Sequence, residues 1–308
     1  MGNCCYSDCN NAIISQTRIK PLQSINHEDI PYPECKCDFV IKFPNGFNCA
    51  IYDETMGDFI IFENINIWLK NLYSHSDWKE WIVYNDEIPG SNKTSRGHCK
   101  GILAWNKSRI SWLCHSVPKF PMYFCENLIS GIEHSESIYG QSFQYIEIPY
   151  TTSKFSEILH QLFIMEANIF NFNVRFNMTS QKKCIYNDKI NEIIISKNIV
   201  HIAKSPNHEI DLYNDYLQRR FQCNWFIETW IRGHKYAVDT CQDINQIRFS
   251  ELFYYREKQD HSKWAVSDKD YYFIGDLNRM TTQMKRGGGG FVCKNDKLSR
   301  KLREIAGV

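Results

Sequence analysis

A short pattern occurs twice in this chain and constrains its fold more than any other feature: His98-Cys99-Lys100 and His261-Ser262-Lys263. Taken alone, a His and a Lys flanking one residue carry little weight in a chain with ten histidines. The flanks extend the match. Residues 98–116, HCKGILAWNKSRISWLCHS, align without a gap on residues 261–279, HSKWAVSDKDYYFIGDLNR. Each stretch reads as a strand, a polar turn (106–108 in one, 267–270 in the other) and a returning strand. His and Lys would then project from one face of an extended segment. The residue at the end of the return, His115 or Asn278, is expected to come back beside the pair. A short apolar strand precedes each copy, Trp81–Tyr84 and Gln246–Phe249. The pattern predicts an internally duplicated chain.

The rest of the sequence fits around these units. Residues 1–34 carry no sustained periodicity and end at Pro31-Tyr32-Pro33, so order is expected to begin near Cys35. Strands rich in β-branched and aromatic residues read at Asp38–Lys42, Cys49–Tyr52 and Phe59–Phe62, followed by a helix over 64–73. After the first unit come a strand at Phe143–Ile148 and an amphipathic helix from Ser153, with Phe155, Ile158, Leu159, Leu162 and Phe163 on one face. The pattern then restarts with strands at Glu192–Ile195 and Ile199–Ile202, a helix over 210–221 and a strand at Trp225–Trp230. The expected architecture is α/β: two pseudo-symmetric halves, each a mixed β-sheet flanked by helices. The divisions are a poorly ordered tail over 1–34, a first half over 35–175 and a second over 176–308.

Composition excludes several classes. With 43% hydrophobic and 14% aromatic residues the chain is globular rather than disordered. A net charge of +1 provides no overall field for an anionic partner, and Arg219-Arg220 and Lys285-Arg286 read as solvated surface. Thirteen cysteines include no Cys-x-x-Cys spacing suited to zinc. Sequons at Asn92, Asn106 and Asn177 point toward an oxidising compartment with disulfides, whereas the N-terminal stretch MGNCCYSDCN lacks the apolar core of a signal peptide. Gly2, Cys4 and Cys5 resemble acylation positions, yet Tyr6 stands where that pattern needs Ser or Thr. No segment approaches the roughly 18 apolar residues of a membrane span.

If both hairpins face one cleft, two imidazoles and two ammonium groups converge there. Such a set can cleave a phosphodiester without metal or cofactor: one neutral imidazole attacks phosphorus and the other, protonated, donates to the leaving oxygen. The ammonium groups neutralise the non-bridging oxygens. His98, Lys100, His261 and Lys263 are therefore the candidate catalytic residues, and His115, Asn278, Asp276 and Arg279 the candidate phosphate or imidazole partners. Either histidine can be the nucleophile, because the units are nearly equivalent. A requirement for one neutral and one charged His predicts a bell-shaped pH profile on the acidic side of neutral. Gly287–Gly290 reads as a flexible loop, and the remaining histidines as surface.

At these residues the chain resembles the deoxyribonuclease II family, whose fold is phospholipase D-like. The resemblance is carried by Tyr84–Asp86, Arg96–Gly101, Trp112–Pro121, Tyr139–Gln141, Asp243–Ile247, Asp260–Trp264, Gly275–Arg279 and Arg286–Gly289, in the family's order. It implies metal-independent endonucleolytic cleavage of DNA, leaving 3′-phosphate and 5′-hydroxyl ends. It also implies catalytic roles for the two His-x-Lys pairs, with His115 at the site. Ala265 stands where the family places a cysteine that pairs with a later one, although Cys293 is present. The family is lysosomal or secreted; without a visible leader, a cytoplasmic setting stays open. A phospholipid or other phosphodiester substrate, or a DNA-binding relative without catalysis, are the competing readings.

Overall fold

The computed structural model describes residues 35–74, 78–91, 96–126, 128–174, 189–233 and 240–308. The N-terminal tail with its acylation-like motif and the sequons at Asn92 and Asn177 lie outside the described residues. Asn106 lies in the turn of the first hairpin, where its side chain accepts hydrogen bonds from the Ser108 and Arg109 amides.

Alternating apolar residues build two sheets. The eight-stranded sheet runs, edge to edge, Ile169–Asn173, Glu80–Asn85, Lys100–Trp105, Arg109–His115, Gln141–Pro149, Lys36–Lys42, Cys49–Asp53 and Asp58–Phe62. The seven-stranded sheet runs Ile190–Ser196, Ile199–Lys204, Gly288–Lys294, Tyr271–Gly275, Lys263–Ser267, Trp225–Thr229 and Gln242–Asp243. Pairing is antiparallel except between Trp225–Thr229 and Gln242–Asp243. Within each sheet the strand carrying Lys100 or Lys263 lies between Glu80–Asn85 or Trp225–Thr229 and its hairpin partner, beyond which come Gln141–Pro149 and Lys36–Lys42 in the first sheet and Gly288–Lys294 and Ile199–Lys204 in the second.

One expected equivalence is corrected here. The strand preceding Lys263 in the ladder is Trp225–Thr229, with Thr229 opposite Lys263 just as Asn85 is opposite Lys100. Gln246–Arg248 instead forms a separate ribbon with Tyr254–Arg256. Both candidates are short and apolar in alternation, so only the pairing itself separates them.

One apolar cluster is shared between the sheets. Trp112 meets Phe291 edge-on at 5.0 Å and Phe39 meets Tyr272 at 5.4 Å. The first sheet's other face is covered by the helix Ile65–Ser74 through Ile65, Leu69, Leu72 and Tyr73. The second sheet's is covered by Leu212–Phe221, wound as a π-helix to Leu217 and as an α-turn beyond it. Asp211 starts that element by accepting from the amides of Tyr213 and Asn214. The helices Thr152–Ile164 and Asp296–Ala306 are capped by Thr151 and Asn295 and add Phe155, Ile158, Leu162, Leu298 and Leu302 to the shared core. Phe163 departs from its expected face and is 42% exposed, while Gln161 turns inward to bond Asn191 and His201.

The glycine run is likewise corrected. Gly288–Gly290 opens a buried strand in the second sheet. A Cβ at Gly289 would stand 2.0 Å from the Ile202 carbonyl oxygen, and one at Gly290 would stand 2.3 Å from that of Ile274. Close approach of neighbouring backbones, not looseness, accounts for glycine there. Among the described residues the cysteines are free thiols, and no helix is long and apolar enough to cross a membrane.

Candidate active site

Lys100 and Lys263 each open a strand, so the two histidines lie just outside the ladders. Their backbones are held by the opposite half. The His98 N–H donates to the Gly287 carbonyl at 2.7 Å, and the His261 N–H donates to the Gly140 carbonyl at 2.9 Å. The lysines repeat the exchange: Lys100 N–H donates to Asp276 Oδ1 at 3.4 Å and Lys263 N–H to Ser142 Oγ at 3.1 Å. These crossed bonds bring the two His-x-Lys units together at the seam.

His98 Nδ1 lies 2.7 Å from the Asp276 carbonyl oxygen. A carbonyl only accepts, so in neutral His98 the proton sits on Nδ1 and Nε2 keeps its lone pair. Burial, then the charges of Lys100, Lys263 and Arg286, hold its pKa well below the ordinary histidine value. Lys100 Nζ pairs with Asp86, whose second oxygen is 2.9 Å from Arg286 Nη2. Burial opposes ionisation of Asp86, but Lys100, His98 and Arg286 outweigh it and hold the carboxyl below the usual range. Arg286 also donates to the carbonyls of Arg96 and Gly97. It is therefore part of the site rather than the solvated surface expected of it.

His261 is held differently. Its ring packs against both Tyr139 (centroids 4.0 Å apart, planes at 11°) and Trp230 (3.2 Å, 30°), which also meet each other at 5.2 Å, with the Arg232 guanidinium 3.9 Å from the Trp230 centroid. Its buried Nε2 has no hydrogen-bond partner among the described residues. Burial pushes its pKa far down, with further contributions from Lys263, Arg232, Lys100 and His98. Lys263 Nζ donates to the His261 carbonyl. Its pKa is pushed down to about 7 by burial and by the nearby Lys100. Asp276 moves the other way, raised to about 7 by burial.

The remaining expected residues divide. His115 lies beside Lys100, one step beyond the Gly101–Cys114 pair, and packs edge-on against Phe120 at 5.0 Å. Burial and the Lys100 charge push its pKa down to about 3. Asp276 is at the site through both its carbonyl and its carboxylate. Asn278 is not the counterpart of His115: the strands of the second hairpin are shorter, Trp264 pairs with Ile274, and Gly275 therefore lies beside Lys263. Asn278 falls beyond the strand end, half-buried. Arg279 is likewise committed elsewhere. Only 3% exposed, it bonds Asp211 at 3.3 Å and Asp243 at 2.5 Å, tying the π-helix start to the sheet edge.

Besides Arg286, the residues at the site that no sequence pattern assigned a role are Asp86, Tyr139, Gly140, Trp230 and Arg232. Asp86, Tyr139 and Gly140 do stand in stretches that carry the family resemblance, Tyr84–Asp86 and Tyr139–Gln141, but only the ladders show Asp86 and Trp230 at matching positions, each one residue past its strand.

Two sheets joined at a seam that carries a duplicated His–Lys pair define the class of protein. Known proteins give its family. The family model for Deoxyribonuclease II matches residues 63–307. Deoxyribonuclease-2-beta of Mus musculus is 33% identical over 270 residues, covering 77% of this chain and 73% of that protein. Its Homo sapiens namesake is 28% identical over 257 residues, covering 73% of this chain and 69% of its own length. A putative deoxyribonuclease-2 of Burkholderia thailandensis is 29% identical over 255 residues, covering 74% of this chain and 71% of its own. The chain belongs to the deoxyribonuclease II family and is a nuclease of the hydrolase class.

Proposed function

We propose that this chain is an endonuclease that hydrolyses DNA without metal through a phosphohistidine at His98, leaves 3′-phosphate and 5′-hydroxyl ends, and prefers acidic pH. The observation that carries the reading is the His98 Nδ1 bond to the Asp276 carbonyl, which leaves the Nε2 lone pair free. In the first step His98 Nε2 attacks phosphorus and the bond to the 5′ oxygen breaks as that oxygen takes a proton from His261. In the second, water attacks phosphorus, His261 takes the water proton, and the P–N bond breaks to release the 3′-phosphate. Lys100 and Lys263 offset the charge that builds on the non-bridging oxygens.

The free site disfavours a charged His261, since burial and three nearby cationic side chains oppose its protonation. A phosphodiester anion among the lysines reverses part of that field and raises the pKa. Substrate binding and protonation of His261 thus support one another, and low pH favours both. Asp86, engaged by Lys100 and Arg286, and two imidazoles beside two ammonium groups make a donor set that repels a metal ion, which supports the metal-independent reading. The crossed hydrogen bonds and the shared strand order support a duplicated, phospholipase D-like architecture divided near residue 175. His115 and Asp276 remain as partners of the phosphate and the imidazoles.

The test is nicking of supercoiled plasmid in EDTA from about pH 4 to pH 8. Wild type is compared with His98→Ala and His261→Ala, and product ends are mapped by labelling before and after phosphatase. Cleavage by wild type alone, strongest at acid pH, with ends blocked to 3′ extension until dephosphorylated, is expected. DNA binding without nicking, or hydrolysis of a phospholipid instead, would overturn the assignment.

A further inference from the structure

Among the described residues, two ammonium groups outside the His–Lys set are fully buried and neither forms an ion pair, Asp260 and Glu136 acting on Lys42 and Glu209 on Lys204 only from a distance. Lys42 ends the Lys36–Lys42 strand, and its Nζ donates to the carbonyls of Phe43 at 2.7 Å, Gly46 at 2.9 Å, Ser137 at 2.9 Å and Tyr139 at 2.7 Å. Lys204 ends Ile199–Lys204, and its Nζ donates to the carbonyls of Ser205 at 3.2 Å, His208 at 2.9 Å and Met284 at 2.8 Å. Each lysine therefore bonds the carbonyls one and four residues ahead of it, and each also crosses to the loop leading into the neighbouring strand. In the ladders Lys42 stands opposite Gln141 and Lys204 opposite Gly288.

Burying an ammonium without an anion is costly, and a core position would hold an apolar side chain more cheaply. What an ammonium adds is three N–H donors, able to tie several carbonyls of different segments to one point. The segments tied here are those that hold the histidines. Lys42 fixes 137–139, next to the Gly140 carbonyl that receives the His261 N–H and containing the Tyr139 ring that stacks on His261. Lys204 fixes Met284, which lies just ahead of Arg286, the partner of Asp86, and of Gly287, whose carbonyl receives the His98 N–H.

We propose that Lys42 and Lys204 are positioning residues that act crosswise, Lys42 of the first half setting His261 of the second and Lys204 of the second setting His98 of the first. The inference rests on the reading of His98 and His261 as the reacting pair, but its geometry is separable from activity. Neither lysine touches the reacting atoms; each acts through a loop of its own half on the other half's imidazole.

The experiment uses full-length protein with 15N-labelled histidine and the variants Lys42→Met and Lys204→Met, which keep side-chain length but lose all donors. Lys42→Gln and Lys204→Gln, each keeping one donor group, stand in for a Met variant that fails to fold. In Lys42→Met the ring nitrogen signals of His261 are expected to shift and broaden while those of His98 hold; Lys204→Met should give the reverse. Turnover of plasmid should fall by about 10²-fold in both, the consequence of displacing a reacting group by roughly 1 Å, with KM nearly unchanged. Unmoved histidine signals accompanied only by a lower melting temperature would make the lysines purely structural. A shift in the same-half histidine would overturn the crossing. If wild type proves inactive on DNA yet the crossed pattern of signals holds, the nuclease mechanism fails and the positioning role survives.

Discussion

Replacing Gly287 by alanine tests how tightly the seam constrains the chemistry. An added Cβ would stand 2.2 Å from the Met165 carbonyl oxygen and 2.7 Å from its carbon, where contacts under 3.0 Å are essentially never seen. One side must yield by about 1 Å. Met165 cannot readily do so: its N–H is bonded to Gln161 at 3.0 Å, and the next carbonyl, of Glu166, receives the Gly97 N–H at 3.0 Å. The shift therefore falls on the 287 backbone, whose carbonyl holds His98 at 2.7 Å. Misplacing a reacting group by about 1 Å costs roughly 10²-fold in rate, or about 2.7 kcal/mol of barrier. Steady-state nicking of supercoiled plasmid should show that loss in kcat, with DNA affinity little changed. Gly140→Ala should act through a side chain rather than backbone, its Cβ standing 2.5 Å from Asp260 Oδ1, a buried oxygen that must give up the Ser262 N–H to move away. Gly307→Ala, at a helix end with open space around it, controls for backbone strain alone. A Gly287→Ala protein that is folded and turns over within about threefold of wild type would refute the reasoning.

Other consequences are accessible to standard measurements. Titrating a short DNA into the His98→Ala protein near pH 6, in buffers of differing ionisation enthalpy, should reveal net proton uptake as His261 gains charge beside the phosphate; no uptake would remove the linkage between acid pH and binding. His201 is not the surface residue expected of the remaining histidines: fully buried against Trp112 and Phe291, it has its pKa pushed down to about 3 by burial. Because the folded value lies below the unfolded one near 6.5, its contribution is intact above pH 6.5 and is lost as pH falls toward 3. His201→Phe should therefore remove about 2 kcal/mol of the pH 7 to pH 5 change in unfolding free energy measured with urea. Arg279→Met should lower stability by about 3–5 kcal/mol by stranding Asp211 and Asp243. It should leave the kcat of the folded fraction near that of wild type, and a large fall in kcat would return Arg279 to the substrate.

Much of this molecule is readable from residue order because the interactions behind it are local. Strands such as Cys49–Asp53 and Ile199–Lys204 and helices such as Ile65–Ser74 follow from side-chain periodicity and chain-end caps. The duplicated His-x-Lys units were legible because both copies keep the same residues at the same spacing. The errors arose where pairing decides. Gln246–Phe249 was as apolar as Trp225–Thr229, and only the ladder to Lys263–Ser267 chose between them. Asn278 aligns with His115 without a gap, yet the shorter strands of the second hairpin put Gly275 in that place. Arg279 looked free for a phosphate until the fold brought Asp211 and Asp243 to it.

The sequence alone determined that two chemically equivalent units exist, each offering one imidazole and one ammonium, because residue identity and spacing are covalent facts. The tertiary structure alone decided that they differ: one imidazole is fixed in its tautomer by the Asp276 carbonyl, the other is packed against a Tyr139–Trp230 pair. Those partners come from distant parts of the chain, and a hydrogen bond or a ring stack depends on positions in space that no local pattern encodes.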